Sequence, residues 1–293
     1  MENKNKESLI YIIILNYLAH GDTIECIESM DKLNYFNYKI IIVDNGSNNN
    51  SFKILSDKYK NSNNIYVVNT GENLGFSNGF NYGIKIAKRH NPDNIVVMNN
   101  DMVFTDSNIL MKLNKIAAMD PNCVAIGPKI ITYSNDNQNP HRLHRPTPLQ
   151  VVTSELAYHY FTLYRKNRNF FDKVKKLFNP FKEKKFSESK NGIYRVYSIH
   201  GSFIFFTKNF FKYFDLPFDD RNFLREEELI LGEMIYNHPA DIYLAYYPKT
   251  EIFHKEDSTM KLVFDDRKYH LDEQKKKHVL NARKIFREYY FKR

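Results

Sequence analysis

The stretch Lys39-Ile40-Ile41-Ile42-Val43-Asp44-Asn45-Gly46-Ser47 decides the fold. Four β-branched residues in a row favour a strand, and the lack of polar alternation means that neither face of it meets water. Strands of that kind belong to parallel sheets covered by helices on both faces. The run ends in Asp-Asn-Gly-Ser, whose residues suit a turn. Upstream stands Ile10–Leu15; downstream follow Ile65–Asn69, Ile95–Met98 and Val124–Gly127. Helical patterns near 22–34, 50–60, 76–90 and 107–119 separate these runs. Such alternation predicts an α/β fold with a mostly parallel, doubly wound sheet. Ligands of these sheets bind beyond the carboxyl ends of the strands, so the polar residues that end each run are the candidates for chemistry.

Length and composition narrow the options. With 293 residues, 42% of them hydrophobic, the chain can bury a sizeable core. The longest apolar run, Ile10–Leu15, is far short of the roughly 18 residues that a membrane span needs. Met1–Ser8 is polar and mixed in charge, unlike a secretory leader, and Cys26 and Cys123 lack zinc-type spacing. A cytoplasmic location is expected. The net charge of +9 is concentrated in 160–190 and 267–293, which each hold ten Lys/Arg against three acids. Phe170, Phe171, Val174, Leu177, Phe178 and Phe181 interleave with Lys173, Lys175 and Lys176. This basic, aromatic pattern suits either a segment on an anionic membrane surface or a helix docked on the protein. Nothing resembles a zinc finger or an RNP motif, so nucleic acid is not an expected partner. These shifts suggest boundaries at 1–133, 134–194, 195–262 and 263–293, the second a basic helical insertion and the last a basic helix.

Several chemistries are excluded by what is missing. The first strand is not followed by G-x-G-x-x-G, no P-loop occurs, and there is no G-x-S-x-G elbow. Gly75, Gly79 and Gly83 recur every four residues, a spacing that lets one helix face pack closely. Asp44, ending the second strand, serves either a turn or a ribose or base contact. Asn99-Asn100-Asp101 ends the fourth strand on the same side of the sheet. A nucleoside diphosphate is bridged by a divalent ion that one or two carboxylates hold. Asp101 fits that task, with Asn99 as a neutral oxygen partner. Glu226-Glu227-Glu228 opens a helical pattern; acids there suit the helix dipole. Mutual repulsion also raises the pKa of any buried member towards the range of a general base. His254 follows the strand-like run Tyr243–Phe253.

The order of these elements resembles the family 2 glycosyltransferases of GT-A fold, in the group of bacterial rhamnosyl- and galactosyltransferases of surface polysaccharide synthesis. The resemblance covers about residues 9–133 and 195–260. Ile42-Val43-Asp44-Asn45-Gly46-Ser47 resembles V-D-N-x-S, and Asn73-Leu74-Gly75-Phe76-Ser77-Asn78-Gly79-Phe80-Asn81-Tyr82-Gly83 resembles N-x-G-F-x-x-G-x-N-x-G. Val97–Asp101 resembles a D-x-D variant, with Asn99 in place of the first Asp; Phe223–Glu228 resembles F-L-x-x-E-D/E; and His254 with Ser258 resembles H-x-x-x-S. The resemblance implies a donor site of Asn16, Asp44, Asn73, Gly79, Asn99 and Asn100. It implies a divalent cation (Mn or Mg) on Asp101 and His254, and Glu228 as catalytic base beside Glu227. Inverting transfer from a UDP- or dTDP-sugar to a glycan or lipid-linked glycan is then expected, and the two basic, aromatic segments suggest work at the inner face of the cell membrane. Two other readings stand beside it: a nucleotidyltransferase, which normally carries a Gly-rich basic loop absent from Asn16–Gly21, and a non-enzymatic basic binding module.

Overall fold

The computed structural model describes residues 7–154, 192–256 and 270–292. Among them a nine-stranded mixed sheet is flanked by helices. Its elements run β1 (Ile10–Asn16), α1 (His20–Ser29), β2 (Tyr38–Asp44), α2 (Ser51–Tyr59), β3 (Ile65–Asn69) and α3 (Gly75–Lys88). Next come β4 (Asn94–Asn99), β5 (Met102–Phe104), α4 (Ile109–Met119), β6 (Cys123–Ile131), β7 (Tyr194–Val196) and β8 (Phe203–Thr207). Helix α5 (Phe210–Tyr213), α6 (Glu227–Tyr236), β9 (Tyr243–His254) and α7 (His270–Tyr290) complete the order.

The strands lie in the order β3-β2-β1-β4-β8-β6-β9-β5, with β7 on β9. The β3-β2-β1-β4 half is parallel throughout; beyond it β8 runs antiparallel to both β4 and β6. Register explains the unbroken apolar runs. Ile10, Ile12, Ile14, Ile40, Ile42, Val96 and Met98 face a core with Cys26, Ile27, Leu55 and the apolar face of α4. Their neighbours Tyr11, Ile13, Ile41, Val43, Ile95 and Val97 face a second core with Phe80, Ile84 and Ala87 of α3 and Leu231 and Ile235 of α6. Both faces of β1, β2 and β4 are dry, so polar alternation has no place in them.

Residues 194–207 form two strands, because β7 pairs with β9 while β8 inserts beside β4. Two other elements differ from the sequence expectation. Strand β9 includes His254 as its last residue, so this histidine closes the strand instead of following it. Met102–Phe104 forms β5 against the end of β9, in the register Met102↔His254. That pairing is what brings Asp101 and His254 together.

Helix α7 resolves one of the two basic segments. Its Ile285, Phe286 and Tyr290 are buried with Val151, Tyr197, Leu229 and Ile230, so its apolar face docks on α6 and is not free to enter a membrane. Buried Glu233 of α6 takes both Arg145 nitrogens, at 2.8 and 3.0 Å, and the Tyr197 hydroxyl at 2.6 Å. Arg145 also stacks on Tyr236 and Tyr290 and donates to the Tyr290 carbonyl. The other basic segment, 160–190, lies outside the described residues, as do Ser258 and 263–269. Among the described residues no helix is long and apolar enough to cross a membrane.

Candidate active site

The carboxyl ends of β1, β2 and β4 meet in one buried polar net. Asp44, fully buried, accepts from Asn16 Nδ2 at 2.7 Å, from the Ser47 N–H at 3.0 Å and from Asn69 Nδ2 at 3.3 Å. Asn16 Oδ1 in turn accepts from Thr23 and from Asn100 Nδ2. Asn100 Nδ2 also reaches the Ala19 carbonyl at 3.0 Å. Asn16, Asp44 and Asn100 thus come together, joined through Asn16. They form a rim at the strand ends, and buried polar groups so paired make it rigid.

Asn73 and Gly79 act from beneath that rim. Asn73 Oδ1 accepts from Asn45 Nδ2 and from the Gly75 N–H, holding the first turn of α3. Gly75 adopts φ +78, which glycine tolerates without a Cβ penalty, and a Cβ there would lie 2.3 Å from the Phe223 carbonyl. A Cβ on Gly79 would lie 2.6 Å from Leu15 Cδ1, and one on Gly83 2.4 Å from Ile13 Cγ2. The four-residue spacing therefore lets α3 press against β1 and β2.

Asp101 and His254 face each other at 3.2 Å, both nearly buried. His254 Nδ1 lies 2.7 Å from Gln138 Oε1, whose amide Nε2 donates to Glu256. An amide oxygen only accepts, so Nδ1 carries the proton and Nε2 is the nitrogen left to face Asp101. Hydrogen-bonded outer partners of this kind orient metal-binding histidines. Next to it, Lys255 pins the strand end to α1 through Asp22 and Glu25. No group of three or more metal-ligating side chains occurs among the described residues. The two donors fit an ion whose remaining positions are filled by diphosphate oxygens and water, the habit of phosphate-bridging ions. Asn99 ends β4 beside them, its N–H donating to the Ser202 carbonyl at 3.0 Å.

Glu227 and Glu228 open α6 after two non-glycine residues in the left-handed region, Arg225 at φ 75 and Glu226 at φ 57. Glu227 is buried, and its Oε2 has no hydrogen-bond partner among the described residues. Burial, and then the neighbouring Glu228 charge, push its pKa well above the ordinary 4.5. Glu228 is half-buried, and its Oε1 accepts the Gly201 N–H at 3.1 Å. A Cβ on Gly201 would lie 3.1 Å from that oxygen, so the absence of a side chain there keeps the carboxylate accessible.

Sequence reasoning passed over His200, which stands between these groups. Its ring is 6.1 Å from that of His254 and 6.3 Å from that of His141. Burial depresses its pKa, partly offset by the Glu228 charge, while His141 and His254 lower it further. Thr23, Asn45 and Gln138 were missed as well. Their only signal was a polar residue in an otherwise structural place.

The model of the family described as Glycosyl transferase family 2 matches residues 11–195. No curated protein matches the sequence. Among solved structures, the chain resembles GalNAc-T7 with UDP, GalNAc and Mn2+, at TM-score 0.59 and 14% identity, covering 86% of this chain and 44% of that one. It also resembles the mannosyltransferase PcManGT from Pyrobaculum calidifontis with GDP-Man and Mn2+, at TM-score 0.57 and 12% identity, covering 95% and 64%. A third is S. aureus TarS 1-349 with UDP, at TM-score 0.53 and 14% identity, covering 84% and 60%. The chain thus spans less than two thirds of each of these proteins' length, and at such identities the likeness speaks for the fold. The family match covers more than half of the chain: it belongs to the family described as Glycosyl transferase family 2, and its fold is GT-A.

Proposed function

We propose that the chain transfers a sugar, with inversion, from a UDP- or dTDP-sugar to a hydroxyl of a glycan or lipid-linked glycan. One observation carries this reading. His200 links the Asp101–His254 pair to the Glu228 carboxylate: its ring lies 6.1 Å from that of His254, and the N–H of the next residue, Gly201, donates to Glu228 at 3.1 Å. A diphosphate and an attacking hydroxyl need to be held in that relation.

In this reading Asp101 and His254 Nε2 hold a divalent cation, which when bound stabilises the charge of the departing diphosphate. Glu228 takes the proton of the acceptor hydroxyl as its oxygen bonds to the anomeric carbon. The bond from that carbon to the diphosphate oxygen breaks, and its electron pair leaves with the diphosphate. A general base must first be within reach of the proton it removes. Glu228 is half-buried, whereas Glu227 is buried and has its pKa raised by that burial and by the Glu228 charge. The neighbours crystallised with UDP or GDP-mannose and Mn2+ favour the same donor chemistry for this chain.

Thermal unfolding with UDP, dTDP, GDP and their sugar conjugates, with and without Mn2+, tests the reading. One nucleotide should raise the melting temperature in a Mn2+-dependent way, because ligand that binds only the native state stabilises it. Asp101→Ala should abolish the Mn2+ dependence. Indifference of the wild-type chain to every nucleotide would remove the donor site from this cleft.

We also propose that the enzyme works at the surface of a bacterial membrane on a growing surface polysaccharide such as capsule. The Lys-rich, aromatic composition of 160–190 supports this, since each Lys or Arg beside an anionic surface adds about 1 kcal/mol. Co-sedimentation with phosphatidylserine vesicles at low salt should be strong and should fall as salt rises. A chain that stays in the supernatant at low salt contradicts it.

A further inference from the structure

We propose that His200 selects the sugar being transferred, its Nε2–H donating a hydrogen bond to a hydroxyl of that sugar. The inference rests on the donor-site reading above and deepens it.

The loop that carries His200 is fixed from both sides. The His200 N–H donates to Asn139 Oδ1 at 2.8 Å, and the next N–H, of Gly201, donates to Glu228 at 3.1 Å. The following carbonyl, of Ser202, accepts from the N–H of Asn99 at the end of β4. One tripeptide therefore touches the metal-side strand and the candidate base together.

The ring is oriented as firmly as the backbone. His200 Nδ1 accepts the Ser202 N–H at 3.2 Å and lies 2.9 Å from Ser202 Oγ, on a residue almost fully buried. A nitrogen that accepts a backbone N–H carries no proton of its own, so the proton of the neutral ring sits on Nε2. That nitrogen makes no hydrogen bond within the described residues. The ring lies edge-on to His254, and the charges of Glu228 and Asp101 both reach it.

Stereochemistry states what fills the space. In an inverting transfer the diphosphate and the acceptor oxygen lie on opposite sides of the anomeric carbon. If the diphosphate is at Asp101 and His254 and the acceptor oxygen at Glu228, the sugar ring occupies the gap that His200 borders. A sugar offers hydroxyls there, and a fixed N–H donor matches one of them. A site that hydrogen-bonds a substrate hydroxyl discriminates strongly against a sugar without it.

The test uses the full chain, Mn2+ and calorimetric titration with the nucleotide that wild type binds, both as free diphosphate and as its hexose conjugates. His200→Ala should leave the free diphosphate Kd within about twofold and weaken the preferred conjugate about threefold to tenfold, the span of one neutral hydrogen bond. His200→Gln, which can place an N–H close to the position of Nε2, should recover part of that loss; the melting temperatures of both variants check that they fold. Equal loss for free diphosphate and conjugate would place His200 on the diphosphate and overturn the proposal. No loss for the conjugate overturns it as well. If wild type binds no nucleotide, the donor-site reading itself fails and the proposal falls with it, a result distinct from either of the others.

Discussion

The two proposed banks of the site are built on different plans. On the proposed donor bank, Asp44, Asn16 and Asn100 sit at the ends of neighbouring parallel strands and are joined through Asn16 by direct side-chain bonds. On the proposed catalytic bank, Glu227 and Glu228 follow two consecutive left-handed residues, a conformation that costs non-glycine residues about 1–3 kcal/mol each. That turn is held by a helix from far along the chain. Arg283 approaches Glu226 at 3.5 Å, Asn281 donates to the Arg221 carbonyl, and His278 stacks on Phe223 at 4.2 Å. The proposed donor bank is organised by its own strands, whereas the proposed catalytic bank is held by α7. Damage to the second should therefore spare nucleotide binding while removing transfer.

The largest test of this separation is within the glutamate pair. Glu228→Gln should lower kcat by about 10²–10⁴ with nucleotide affinity unchanged. Glu227→Gln should keep most of the activity, because the neutral amide resembles a carboxyl that already carries its proton. The pH dependence of stability gives an independent readout. Unfolded, Glu227 releases its proton near 4.5; folded, burial makes it hold on to higher pH. Unfolding then releases a proton, so this group lowers stability progressively as pH rises above 4.5 and up to its raised folded value. Denaturant titrations of Glu227→Gln across that window should show a shallower decline than wild type. Equal slopes would mean that Glu227 is ionised in the fold, and would reopen the choice of base.

Next in size is the clasp that joins α7 to α6. Arg145→Met leaves the Glu233 carboxylate buried with only Tyr197 and Asn237 as partners. Breaking one side of a buried pair costs about 3–5 kcal/mol, which chemical denaturation would register. Nucleotide binding should persist wherever the chain remains folded, since the strand-end net does not touch the clasp. Joint loss of binding and stability would show that the two banks are one cooperative unit.

The same contrast governs what the sequence discloses. The strands β1 to β4, the glycine-spaced helix and the placing of Asp44 and Asn99–Asp101 on one side of the sheet were legible because local periodicity and strand order determine them. Asp101 and His254 could each be singled out, yet their contact depends on β5, a three-residue strand whose partner lies far along the chain. Such short antiparallel pairings leave almost no periodic trace. Glu233 could have been noticed as one acid among Leu229, Ile230, Leu231, Met234 and Ile235; its partner Arg145 could not. His200 had no signal beyond standing before Gly201 and Ser202.

The smallest test bears on the strained turn itself. Arg225 is exposed, and its side chain makes no hydrogen bond among the described residues, while Asn222 holds its carbonyl. Glycine adopts φ 75 freely, so Arg225→Gly removes the left-handed penalty but adds freedom to the unfolded chain. The two effects together should stabilise the fold by about 0.5–1 kcal/mol, read as a rise in melting temperature of about 1–3 °C. Activity discriminates further. If the strained turn serves to aim Glu228, the freer glycine lets the entry to α6 wander, and kcat should fall modestly while nucleotide affinity stays constant. A stability gain with lost turnover would mark the strain as part of the catalytic bank's construction. A stability loss would show that the turn is relaxed, and that α7 holds the bank in place without opposing any strain.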